Sequence, residues 1–193
     1  MIPTRCAALA AFLLLTACGG GGGDGPRSPA EVARDFSRNG ARAAQIAAAT
    51  AAMSQTPVAA MPTGGRAEYD GVVGMAFGAA PGSIAVATMV GDLDLDADFA
   101  TNRITGELDD FDTRDGRELN GALRVSNGRI SGSTFSGDIS GNLGGRGRVP
   151  GAVNGTISGE FRGADAGAIE GTGTAVSGAG DLGLVFRGLR DRD

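Results

Sequence analysis

Asp92-Leu93-Asp94-Leu95-Asp96-Ala97-Asp98-Phe99 alternates acidic and apolar residues without a break. Successive side chains of a β-strand point to opposite faces. This period of two therefore puts Leu93, Leu95, Ala97 and Phe99 on a core and the four aspartates in water. Thr101-Asn102 then turns the chain into Arg103-Ile104-Thr105-Gly106-Glu107-Leu108, which predicts a hairpin. Working outward, strands are predicted at Glu68–Phe77, Ser83–Phe99, Gly121–Val125, Arg129–Phe135, Gly155–Phe161, Ala168–Ala175 and Leu182–Phe186. Turn signals separate them, among them Ser126-Asn127-Gly128 and Val149-Pro150-Gly151. About eight short strands with Gly-rich turns predict a closed barrel or a sandwich. The outward positions carry Asp, Glu, Arg, Ser and Thr, not the apolar band of an outer-membrane span. Gly71, Gly74, Gly106, Gly132, Gly159 and Gly171 fall inside the strand patterns and predict strand coiling and close backbone approach.

Composition narrows the chemistry. The 193 residues have a formal net charge of −5 and contain no His, no Trp and one Tyr. Without His there is no Ser-His-Asp or Cys-His arrangement and no His-based zinc site, so no enzyme is expected. An acidic chain lacks the basic face that nucleic-acid binding needs. All the basic residues are Arg, a pattern we read as GC-rich base composition.

The start of the chain has a different character. Arg5 precedes an apolar run, Ala7 to Leu15, followed by Leu15-Thr16-Ala17-Cys18 and the glycines Gly19 to Gly23. A charged start, a short apolar segment and small residues before a cleavage point make a secretory signal peptide. The run is too short to stay in a bilayer as a spanning helix. Leu15-Thr16-Ala17-Cys18 resembles the bacterial lipobox, and that resemblance implies cleavage before Cys18 and acylation of its thiol and new amine. Residues 1–17 are then a lipoprotein signal peptide and 18–27 a lipidated cysteine with a Gly-rich tether. Cys6 leaves with the signal peptide, so no disulfide is expected. Residues 28–54 predict an Ala-rich helix, with Ser28 as N-cap, Pro29 in the first turn and Glu31 completing a capping box. Val32, Phe36, Ala43, Ile46, Thr50 and Met53 share one stripe, while Arg34, Arg38 and Arg42 share another that is expected to face water. Asn39-Gly40 is a point where this helix is expected to weaken or split. Residues 55–65 hold two prolines and read as a linker.

Residues 66–193 resemble the small eight-stranded barrels of Gram-negative surface lipoproteins, the group that includes transferrin-binding protein B, factor H-binding protein and related hemophores. Glu68-Tyr69-Asp70-Gly71, Ala97-Asp98-Phe99 and Ile104-Thr105-Gly106-Glu107-Leu108 carry the resemblance, together with the stretch Gly159 to Gly171 and the closing Phe186-Arg187-Gly188-Leu189-Arg190. Where the family often reads Phe-Tyr-Gly-Pro, this chain has Phe161-Arg162-Gly163-Ala164. The resemblance implies an all-β fold: a small, soluble, antiparallel eight-stranded β-barrel, preceded here by the Ala-rich helix and the lipoprotein signal peptide. It also implies outer-membrane anchoring at the cell surface or the periplasmic face, and a non-enzymatic binding or recognition role. The barrel is expected to fold without residues 1–65.

Candidate sites are few. Cys18 is the lipidation site and ties the chain to the membrane. Asp109, Asp110, Asp112 and Asp115 are read as one acidic loop between Asp109 and Asn120, suited to a basic protein partner, with a TonB-dependent receptor as one possibility. Asp92, Asp94, Asp96 and Asp98 spread along a strand and cannot converge on a metal. No metal and no cofactor are expected. The alternatives are a structural envelope lipoprotein without a specific ligand, and a haem or small-ligand carrier that would draw its axial ligand from Tyr69, Met75 or Met89.

Overall fold

The computed structural model describes residues 27–191, so Cys6, Cys18, the signal peptide and all of the tether before Arg27 lie outside the described residues. A helix, α1, runs Pro29–Thr50 and leads into nine strands. These are β1 (Arg66–Phe77), β2 (Met89–Asp98), β3 (Arg103–Thr113), β4 (Leu119–Asn120), β5 (Leu123–Ser131), β6 (Thr134–Gly145), β7 (Gly151–Arg162), β8 (Ala168–Ser177) and β9 (Gly180–Arg190). Eight of them form an antiparallel up-and-down barrel. β1 pairs with both β2 and β9, and β6 with both β5 and β7, so the sheet closes on itself. The two-residue β4 pairs only with the last residues of β6.

The alternation that predicted β2 is the rule of the barrel. Leu93, Leu95 and Ala97 are buried while Asp94 and Asp96 are exposed. β6 alternates in the same way, with Phe135, Ile139 and Leu143 inward and Thr134, Ser136, Asp138 and Ser140 outward. The interior is one continuous apolar cluster. At one end it becomes aromatic: Phe161 packs against Tyr69, Phe99 and Phe135 with ring centroids 5.3–5.8 Å apart. Gly159 and Gly171 make room there, because a Cβ at either position would overlap the ring of Phe135 or Phe186. Tyr69, fully buried, donates its hydroxyl proton to the Ala166 carbonyl at 2.7 Å.

A second apolar cluster lies outside the barrel. Val72 of β1 and Val90 of β2 are outward positions, yet both are buried, because Ala43 and Ile46 of α1 pack over them together with Ile84 and Ala87. Fully burying a Val or Ile side chain contributes roughly 1.5–3 kcal/mol, so this seam holds α1 to the wall. The helix crosses β9, β1, β2 and β3. It starts beside the β3–β4 turn, where Arg27 meets Asp112 at 2.9 Å and Glu118 at 3.1 Å. It ends at the aromatic end, where Arg162 donates from Nε and Nη2 to the Met53 carbonyl at 3.0 and 2.7 Å. The end at which α1 starts is called the lower end below, and the aromatic end the upper.

Several expectations are corrected. Asn39-Gly40 does not split α1, which the Ser28–Glu31 capping box starts and tertiary packing carries through. Arg42 does not face water as Arg34 does: it forms ion pairs with Asp70 and Asp92. Residues 55–65 are no mere linker, since Gln55 bridges to Arg162 and the Thr56 amide donates to the Phe161 carbonyl at 2.8 Å. The predicted strand from Ser83 begins with a short 3-10 turn, Ile84–Val86, before β2. Ser126-Asn127-Gly128 is a bulge within β5, with Asn127 at φ 52°, and not a turn between strands. The predicted strand Arg129–Phe135 straddles the β5–β6 hairpin, and Gly132 sits in that turn at φ 60°. β6 itself was missed, so one false strand and one missing strand left the count at eight.

Candidate functional site

The four aspartates read as one acidic loop do not form one. β3 runs on to Thr113, so Asp109, Asp110 and Asp112 are strand residues and only Asp115 lies in the turn that follows. A bulge makes this possible: two residues of β3, Asp110 and Phe111, lie across from Gly91 alone, and Asp110 takes the left-handed conformation at φ 46°. An Asp tolerates that conformation better than most residues. The extra residue lets Phe111 return to the core, where it is fully buried.

Asp112 is buried beneath the start of α1, and its carboxylate accepts from Arg27. Burial pushes its carboxyl up to about 6, against the pull of Arg27. Asp115 turns the other way. Arg117 and the Thr113 hydroxyl donate to it, at 2.7 and 2.6 Å, and hold its carboxyl below the usual range. Both residues serve the fold at the lower end.

Asp109 and Asp110 instead join a wall that no single stretch of sequence displays. Across the sheet Asp109 faces Asp92, and Asp70, Asp94 and Glu107 form one row over three strands. Glu68 faces Asp96 in the next row. Like charges directly opposite each other on a sheet are destabilising by up to about 1 kcal/mol a pair. Two cations relieve the rows. Arg42, reaching down from α1, pairs with Asp70 and Asp92, and Arg124 stands 3.9 Å from Glu107 at the edge. The crowding shows in the protonation equilibria. Burial and then Asp110, Asp94, Glu107 and Asp92 push the Asp109 carboxyl up to about 6. Burial and neighbouring carboxylates likewise raise Asp92 and Asp94, with Arg42 opposing. Among the described residues no group of three or more carboxylates is arranged to hold a metal ion.

The barrel interior offers no comparable site. Among the described residues no buried side-chain nitrogen or oxygen lacks a hydrogen-bond partner. Of the residues considered as haem ligands, Tyr69 is committed to Ala166, and Met75 and Met89 are buried in the core. An open groove of about 860 Å³ lies over β5 to β9, with Ser and Thr hydroxyls along it. Of its charges, Glu160, Glu170 and Arg187 are engaged with one another and with Arg162, while Arg129 has no carboxylate partner among the described residues. Arg162 gathers these two glutamates and fastens Met53.

These features define a closed eight-stranded barrel whose core is filled and whose distinguishing surface is charged. The chain belongs to the family of the C-lobe and N-lobe β-barrels of transferrin-binding protein B, whose profile matches residues 61–190. The stretches that carried the resemblance in sequence all lie within that match. A variant of transferrin-binding protein B from Haemophilus parasuis Hp5 is 21% identical, over 72% of this chain and 29% of that one, with a TM-score of 0.51. The isotype 1 protein from serogroup B Neisseria meningitidis is also 21% identical, over 71% of this chain and 28% of that one, with a TM-score of 0.48. A protein described as a surface lipoprotein is 16% identical, over 72% of this chain and 66% of that one, with a TM-score of 0.43. The chain thus covers less than a third of the length of these two transferrin-binding proteins. No curated protein matches it.

Proposed function

We propose that this protein is an outer-membrane lipoprotein, anchored through Cys18, that acts as a non-enzymatic recognition module. Its acidic wall docks a basic surface of a protein partner, of which an envelope receptor of the TonB-dependent class is one example. The observation that carries the reading is the set of facing carboxylates, Asp70 with Asp94 and Glu107, and Asp92 with Asp109. A sheet that keeps like charges opposite each other gives up stability. A basic partner would return that stability on binding and be steered to the site by the same field. Asp109 and Asp110 belong to this surface, whereas Asp112 and Asp115 act inside the fold. The relatives' names speak of transferrin, but this chain covers under a third of those two proteins, and its partner is defined only by charge.

Two measurements test the proposal. Cys18→Ser should move the protein from the membrane fraction to the soluble one, and unchanged fractionation would remove the anchor. For the wall, a partner captured from envelope extract is titrated against the wild type and against a variant combining Asp94→Asn, Glu107→Gln, Asp109→Asn and Asp110→Asn. Losing such a field should slow association about tenfold at low salt. A rate indifferent to both salt and substitution would place the docking surface elsewhere.

A further inference from the structure

The lower mouth of the barrel holds a concavity of about 370 Å³. Phe77, at the end of β1, and Met89, at the start of β2, give it an apolar surface continuous with the main core. Arg114 and Arg117 come to it from the β3–β4 connection and Arg148 from the β6–β7 connection, and Asp115 lies with them. Three arginines thus face one carboxylate. Three larger clefts are balanced differently. The groove over β5 to β9 has two arginines and two glutamates, and the cleft beside α1 two arginines and two aspartates. A third, at the upper end, has two arginines and three carboxylates.

The charges at the lower mouth are not equivalent. Arg117 is committed: it pairs with Asp115 at 2.7 Å and donates from Nη1 to the Arg146 carbonyl at 2.7 Å. Asp112 and Glu118, close by, are held by Arg27, and the exposed Asp181 is outside the lining. Arg114 and Arg148 are positioned by backbone carbonyls alone. Arg114 donates from Nε and Nη2 to Ala87 and Ala85, and Arg148 from Nη2 to Ala179. An aromatic ring backs each guanidinium, Phe36 at 5.4 Å from Arg114 and Phe77 at 4.0 Å from Arg148. Among the described residues neither has a carboxylate partner, and Nη1 of both makes no hydrogen bond. Arg103, Arg129 and Arg190 also lack a carboxylate partner there, but no two of them line one of these clefts.

We infer that the lower mouth binds a small amphiphilic anion, one carboxylate on an apolar body of about ten carbons, as in a medium-chain fatty acid. The size follows from the space: about 370 Å³ takes on the order of a dozen groups of roughly the 30 Å³ that a water occupies. The head lies between Arg114 and Arg148, where charge-assisted hydrogen bonds are the strong ones. The body covers Phe77 and Met89 and takes their apolar surface out of water. Barrel mouths are a recurrent place for such sites. This site shares no residue with the acidic wall, so it stands or falls apart from the docking proposed there.

A chain of residues 19–193 keeps every described residue and avoids the detergent that would compete for the site. Its four methionines report on separate places. Met89 lines the lower mouth, Met53 the cleft beside α1 and Met61 a smaller cleft at the upper end, while Met75 is buried in the core. With isotope-labelled methyl groups, titration with decanoate should shift the Met89 resonance to saturation and leave Met53 and Met61 unmoved. Acetate has the head without the body, and decyltrimethylammonium has the body with the opposite charge. Neither should move Met89 at the same concentrations. Arg148→Gln should weaken decanoate binding about tenfold, the loss of one charged hydrogen-bond partner. Arg146→Gln, on the same connection but outside the lining, should leave it unchanged. Thr88→Phe, which fills the cavity and keeps both arginines, should abolish the shift. An unmoved Met89, an equal response to decyltrimethylammonium, a shift at Met53 or Met61 instead, or wild-type affinity in Arg148→Gln would each overturn the inference.

Discussion

Asp109 keeps its proton further up the pH scale than a carboxylate in water. Its carboxyl titrates at about 6 in the folded chain, because burial and four neighbouring acids disfavour its charge. In the unfolded chain it titrates near the ordinary value of about 3.9. Between those values the native state binds more protons than the unfolded state, so this residue's contribution to stability falls as pH rises through the window. Asp112, also at about 6, acts with the same sign. Asp109→Asn should therefore raise stability at pH 7 by about 0.2–1 kcal/mol, the scale of one cross-strand charge pair. Thermal melts at successive pH values should also show a flatter slope between about 4 and 6 than in the wild type. A melting temperature that drops at neutral pH would mean that the carboxylate is favourable where it stands. The sequence displayed these aspartates but not their fates. Asp-Asp-Phe-Asp reads as a polar loop because its period matches neither helix nor strand. The bulge at Asp110 supplies the missing residue of register, and a bulge leaves no periodic trace.

At the scale of elements, strictly alternating β2 was readable, and β7 and β8 were read in spite of Gly159 and Gly171 on their inward side, whereas β6 was not. β2 announces itself through Leu93, Leu95 and Ala97. β6 places Gly137 and Gly141 where apolar side chains would mark the pattern, and so it escaped. The start of α1 was legible down to the capping box, since Ser28, Pro29 and Glu31 act locally. Its destination was not, because Val72 and Val90 look like ordinary members of apolar runs until the barrel closes and turns them outward. That destination makes the helix part of the fold, and Ile46, 5% exposed, is its central contact. Ile46→Ala should cost about 2 kcal/mol, the low end for such a truncation, because a seam between helix and sheet can partly collapse. Chemical denaturation would show it as a lower midpoint with an unchanged slope. No change in midpoint would mean that α1 is not bound to the wall in solution.

The whole molecule depends on a pairing between its most distant strands. β1 joins β9 from Tyr69 with Arg190 to Phe77 with Leu182, and only this contact removes the two edges of the sheet. A chain stopped after Ser177 would lack β9 and present β1 and β8 as bare edges. Exposed edges pair with other chains, so the truncated protein should elute in size-exclusion chromatography as larger species than the full chain. A monomeric truncated protein would show that the outer helix alone can guard the opening. This long-range closure also predicts folding on the millisecond-to-second scale of non-local β topologies.

The path of the chain around the barrel has a mechanical consequence. α1 is fastened at its start by Arg27 and just past its end by Arg162, and β1 begins only after the chain has reached the upper end. Tension applied through the residues before Arg27 therefore does not reach the first strand directly. A pull along the barrel axis drags the helix parallel to the wall and loads the contacts of Ala43 and Ile46 together, in shear, instead of peeling them in turn. The helix is thus a sacrificial link. Under rising force it should give way with a first, short extension while the closed sheet behind it stays intact.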